Sequence, residues 1–133
     1  MKTILITGIN GFVGSNFTRD WKDNFTLYGL DIQQTPKEGV ERVFSWDELG
    51  KIPSVDAIVH LAGKAHDTKN QSEVQSYFDI NTGLTERIFD YFLQSDTQTF
   101  VFFSSVKAAA DSVPGNILTE EVVPPPCWPV RRI

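Results

Sequence analysis

The stretch Thr7-Gly8-Ile9-Asn10-Gly11-Phe12-Val13-Gly14 constrains this chain more than any other. Its three glycines recur at every third position, directly behind a short apolar run at residues 2–7. The length of that run and the turn residues after it favour a buried strand over a helix. Residues 14–24 have room for about three helical turns, with Phe17 and Trp21 on one stripe at i, i+4. Residues 25–31 then fit a second strand. Glycine suits a junction of this kind because a side chain would block the tight turn, the close approach of a pyrophosphate to backbone, or the packing of helix on strand. A helix start behind the loop presents unpaired N–H groups and partial positive charge to an anion. The spacing is Gly-x-x-Gly-x-x-Gly, not Gly-x-Gly-x-x-Gly, and as a bare pattern it also describes an ordinary turn. The order strand, loop, helix, strand is what points to dinucleotide phosphates.

Asp31 adds a second constraint. It closes the second strand 17 residues after Gly14, where a carboxylate can accept hydrogen bonds from the adenosine ribose hydroxyls. A 2′-phosphate there would meet repulsion of up to roughly 4 kcal/mol at ~4 Å and an effective dielectric of about 20. NAD is therefore expected over NADP. The alternative is a solvated acidic residue at a strand end.

Further along, residues 42–44 read as a short third strand after the turn at residues 36–39, and residues 56–62 as a fourth. The near-continuous apolar character of the fourth suits a strand covered on both faces of a parallel sheet. Between residues 72 and 94 the period changes: Ile80, Leu84, Ile88 and Phe92 recur every four residues, marking one helical face. Residues 99–105 return to a buried strand, giving an α/β doubly wound parallel sheet. The 133-residue length supports one core and not two. Residues 107–133 hold five prolines and show no further periodicity.

Charge and cysteine content narrow the setting. With 12 basic and 17 acidic residues the net charge is −5. No local basic patch offsets it, so nucleic-acid binding is not expected. The lone Cys127 excludes an internal disulfide framework and a cysteine-based zinc site; no metal is expected, and a reducing, cytoplasmic setting is the default. No run approaches the ~20 apolar residues of a membrane span, and the N-terminal run breaks at Thr7-Gly8 before it could serve as a signal core.

Taken in order, residues 7–14, Asp31, His60-Leu61-Ala62-Gly63 and Phe102-Phe103-Ser104-Ser105 make the chain resemble the N-terminal part of an extended short-chain dehydrogenase/reductase. Within that superfamily it is similar to the NAD-dependent epimerase/dehydratase family acting on nucleotide sugars, in its UDP-glucose 4-epimerase-like branch. The resemblance runs over residues 1–126 and implies an NAD(P)-binding Rossmann fold. By it, the loop that Gly8 opens and Gly14 closes would carry Asn10, Gly11, Phe12 and Val13 over the pyrophosphate, and Asp31 with Ile32 would hold the adenosine. Leu61, Ala62 and Gly63 would line the cofactor. Lys64 falls one residue out of register with a lysine that some relatives place on the nicotinamide ribose; a solvated lysine is the other reading. Asn81 matches a helix asparagine supporting the family's proton relay, against a plain surface asparagine. Ser105 matches the residue that hydrogen-bonds the reacting sugar hydroxyl.

One part of the pattern is missing. The family's base is the tyrosine of Tyr-x-x-x-Lys, whose lysine lowers the phenol's pKa, and neither Tyr28, Tyr77 nor Tyr91 has a lysine four residues on. Where relatives continue toward that motif, this chain reads Cys127-Trp128-Pro129-Val130-Arg131-Arg132-Ile133. With suitable codons, sliding the frame by one nucleotide turns these residues into Ala-Gly-Pro-Tyr-Gly-Glu-Ser and restores a tyrosine at position 130. Residues 1–126 are thus expected to form the NAD-binding domain, with 127–133 a frameshifted tail, and the sheet to stop after about five strands.

The expected function is the NAD-binding part of a nucleotide-sugar epimerase, inactive as it stands, with a nucleotide sugar as substrate of the full enzyme. A non-catalytic NAD-binding sensor or partner module is the alternative. A 4,6-dehydratase is a third reading, disfavoured because Val106-Lys107 stands where relatives place Asp-Glu. An uncovered sheet edge would promote self-association into a homo-oligomer. His60 is expected to be a satisfied core residue, and His66 to lie on the substrate loop or in solvent. Trp46 is expected to pack rather than flank adenine, and Asp47, Glu48, Glu120 and Glu121 to be solvated charges.

Overall fold

The computed structural model describes residues 1–64, 71–105 and 113–122. Apolar runs become strands where both faces are covered. β1 (Thr3–Thr7), β2 (Thr26–Leu30), β3 (Arg42–Phe44), β4 (Ala57–His60) and β5 (Thr99–Phe102) form one parallel sheet of order β3-β2-β1-β4-β5. α1 (Phe12–Trp21) crosses from β1 to β2, and α2 (Gln71–Gln94) crosses from β4 to β5. The expected doubly wound α/β fold is observed, with β1 at its centre.

Alternation along β1 splits the core into two layers. Ile4 and Ile6 point with Ile9, Leu27, Val43 and Val59 toward the α1 side, where Phe17 and Phe25 pack. Leu5 points the other way, joining Leu30, Phe44, Ile58 and Ile88 against α2. Of the α2 stripe read from the sequence, Ile88 is fully buried, Leu84 and Phe92 pack on the same cluster, and Ile80 is exposed.

Several boundaries differ from the sequence reading. α1 begins at Phe12, so Gly14 lies inside its first turn and is not its first residue. Pairing of β4 with β1 ends at His60 opposite Thr7, which releases residues 61–64 as a loop. β5 ends at Phe102, releasing residues 103–105. In each case the ladder stops where the parallel neighbour has turned away.

Glu48 requires a correction: it is not a merely solvated charge. It sits in a 3-10 turn, Trp46–Lys51, and closes a capping box with Ser45. Its carboxylate also meets Arg42 at 2.8 Å and Lys51 at 3.2 Å. The Ser45 amide, reinforced by Lys51 and Arg42, holds that carboxyl below the usual carboxylate range. Asp47 lies 3.3 Å from Arg87, and Glu120 and Glu121 are exposed. His66, the Val106-Lys107 pair and residues 127–133 lie outside the described residues. Among those described, no helix is long and apolar enough to cross a membrane.

Candidate functional site

The strand order reverses between β1, whose crossover leads to β2, and β4, whose crossover leads to β5. Loops leaving the carboxyl ends of these strands part to opposite faces and leave a crevice, the usual ligand position in open α/β sheets. A cleft of about 630 Å³ lies there. Its walls bring together Gly8, Asn10 and Gly11 from the first loop, Asp31 and Ile32 from the second, and residues 61–64 from the loop after β4. Phe12, Val13 and Gly14 are not on that wall; Phe12 is 86% exposed at the helix start.

The glycine loop is tight for identifiable reasons. Gly8 has φ +70°, and a Cβ there would come within 2.8 Å of Ala62 Cα. A Cβ on Gly14 would come within 2.6 Å of the Gly8 carbonyl oxygen. Gly11 serves as the N-cap of α1 without a side-chain cap, and the first turn contains no acidic residue. Its leading N–H groups therefore have no side-chain acceptor, the arrangement that favours an anion.

Asp31 organises this loop from the next strand. Its Oδ2 accepts the Asn10 amide at 3.0 Å, while the Asn10 side chain donates to the Gln33 carbonyl at 2.7 Å. Lys37, which drew no attention as a sequence, proves to belong here. Its Nζ donates to the Ile9 carbonyl and to the Ser15 hydroxyl, both at 2.8 Å. Burial pushes its ammonium below the ordinary lysine value, opposed by nearby Asp31. No periodicity marks a loop lysine, so only the fold could reveal it. Trp46 packs in the α2-side core, as expected, and also borders the cleft.

A second, smaller cavity of about 180 Å³ shares residues 61–64 with the first. Ser105 and Asn81 meet on its wall, joined by His60 and Thr85. Asn81 is not an idle surface residue. Its Oδ1 accepts the Lys64 amide at 2.7 Å and its Nδ2 donates to the Lys64 carbonyl at 3.2 Å, clamping the loop after β4. His60 is the satisfied core histidine expected, buried and hydrogen-bonded at both ring nitrogens.

The sequence model of the NAD dependent epimerase/dehydratase family matches residues 4–130. A UDP-glucose 4-epimerase from Vibrio cholerae is 28% identical over 80% of this chain and 35% of its own length. A short-chain dehydrogenase/reductase superfamily protein from Agrobacterium tumefaciens, solved with bound NAD, superimposes with a TM-score of 0.76. It is 27% identical, over 97% of this chain and 40% of that one. The UDP-Glc/GlcNAc 4-epimerase of Campylobacter jejuni reaches a TM-score of 0.81 at 20% identity, over 99% of this chain and 45% of its own, and so supports the fold alone. The chain thus spans 35% to 45% of the length of these relatives.

Proposed function

The chain belongs to the NAD dependent epimerase/dehydratase family, and from that premise we propose that it is the NAD-binding part of a nucleotide-sugar epimerase of the UDP-glucose 4-epimerase type. The observation that carries this reading is the convergence, in one cleft, of the uncapped α1 start, Asp31 and residues 61–64. The residues suit a dinucleotide. Two glycines whose Cβ atoms would strike backbone keep the loop low, and the first helical turn offers amide donors for a pyrophosphate. Asp31 and Ile32 stand where an adenosine would end, and the 61–64 loop leads on to the smaller cavity with Ser105 and Asn81.

Bound there, NAD would supply the hydride acceptor and donor of the epimerisation. The chain's own residues would bind and orient. Ser105 would hydrogen-bond the sugar hydroxyl, and Asn81 would keep the intervening loop in place. No residue in the sequence can serve as the base of a Tyr-x-x-x-Lys pair, so the 133-residue chain is expected to bind cofactor without turning over.

Fluorescence titration with NADH and NADPH tests the reading. Micromolar-range NADH binding is expected, with NADPH weaker; substitution Asp31→Asn should weaken NADH by about tenfold and narrow the gap to NADPH. Absence of binding by either nucleotide refutes the proposal. Incubation with UDP-glucose and NAD should yield no UDP-galactose.

A further inference from the structure

We propose that His60 is a positioning residue, held as the neutral Nε2–H tautomer, that locks the turn at residues 61–62 to Asn81 and so sets the wall shared by the two cavities. The functional weight of this inference rests on the cofactor reading above; its geometry does not.

The tautomer follows from counting protons. Thr85 has one hydroxyl proton, donated to the Asn81 carbonyl 2.9 Å away. Toward the His60 ring, 3.0 Å distant, Thr85 Oγ1 can then only accept, so Nε2 carries the hydrogen. Nδ1 is left as an acceptor and takes the hydroxyl proton of Thr7 at 2.6 Å. Thr7 Oγ1 in turn accepts the amides of Leu61 at 3.2 Å and Ala62 at 3.0 Å. From Asn81 the path returns to the same loop through the Lys64 amide and carbonyl. The bonds therefore form a circuit: the amides of residues 61 and 62, Thr7, His60, Thr85, Asn81 and the backbone of residue 64.

A second ring proton would break that circuit. It would face a Thr7 oxygen already holding two amide donors, and would turn the Thr7 proton away from its acceptor. Among the described residues, no acidic side chain contacts the ring to compensate for imidazolium charge. His60 is 2% exposed, and the β5 side presents the rings of Phe100 and Phe102 at 6.2 and 5.8 Å. β1 presents Thr7 and α2 presents Thr85. The charged side chain lining the adjoining cavity, among the described residues, is Lys64, of the same sign. Burial accordingly pushes the ring's pKa down to about 4.

Two measurements on the whole 133-residue chain decide the matter. Nitrogen-15 NMR of the imidazole should show the neutral Nε2–H pattern unchanged from pH 7.5 to 5. The Nδ1–H pattern, or a titration near the ordinary histidine value, overturns the proposal whether or not cofactor binds. In NADH and ADP titrations, Thr85→Val should weaken NADH by about tenfold while ADP changes by less than about threefold, and Thr85→Ser, which keeps the acceptor, should restore NADH. Equal weakening of both ligands, or none, contradicts the positioning role. If the unaltered chain bound neither ligand, the cofactor reading would fail and the tautomer would still be decided by NMR.

Discussion

Gly14 and His60 show how far single residues shape this site. Because a Cβ on Gly14 would fall 2.6 Å from the Gly8 oxygen and 2.7 Å from Ile9 Cα, the contact is with backbone that has no rotamer to yield. Gly14→Ala should therefore lower unfolding stability by about 2 kcal/mol or more, read from urea midpoints, and abolish NADH binding; a variant as stable as the parent contradicts the close approach. For His60, the folded pKa of about 4 lies below the ordinary value of 6.5. The unfolded chain thus takes up a proton that the folded chain refuses, and stability is lost as pH falls from about 6.5 toward 4. Between pH 7.5 and 5 this one group should remove about 2 kcal/mol. Denaturant unfolding at both values checks it, with His60→Gln as the reference in which that share of the pH dependence disappears.

Among elements, the loop between β2 and β3 contributes more than connection. Asp31 at its start holds the Asn10 amide, and Lys37 further along holds the Ile9 carbonyl and Ser15 on α1. Both ends of the glycine loop are thereby tied to the segment that follows β2. Lys37→Met keeps the stem and removes the donors, so it should cost about 1 kcal/mol of stability and weaken ADP and NADH together. A loss confined to NADH would show that the tie does not serve the phosphate end. The 3-10 turn after β3 is a similar device on the opposite side, where Ser45 and Glu48 cap each other. Ser45→Ala should cost about 1 kcal/mol by thermal or urea unfolding, with no change in NADH affinity.

For the molecule as a whole, the sheet is covered unevenly. β1, β2 and β4 are sandwiched between the α1 and α2 layers. Among the described residues, β5 pairs with β4 alone; one face, carrying Phe100 and Phe102, turns inward, while Val101 is 39% and Phe103 51% exposed. Leu93 and Phe89 add exposed apolar surface on α2. A parallel strand left open in this way is a template for association. Sedimentation velocity should show a concentration-dependent shift toward larger species, and Val101→Lys should reduce it without changing NADH affinity. A monodisperse monomer at high concentration contradicts this expectation.

Much of the architecture was legible in the order of residues. Apolar runs of strand length, the four-residue spacing of Leu84, Ile88 and Phe92, and glycines at a strand-to-helix junction each report local geometry, and local geometry is what a linear pattern encodes. Asp31 and the 61–64 loop could be named because strand ends in a parallel sheet fall on one side. The ends of β4 and β5 could not, since each strand stops where its neighbour stops, a matter of pairing. Still less could the sequence indicate that Lys37 reaches Ile9 or that His60 joins Thr7 to Thr85, whereas the Ser45-x-x-Glu48 spacing of the cap after β3 was there to be read. The Lys37 and His60 contacts join positions far apart along the chain or in loops without period, and their hydrogen bonds gain strength only when folding has removed the competing water.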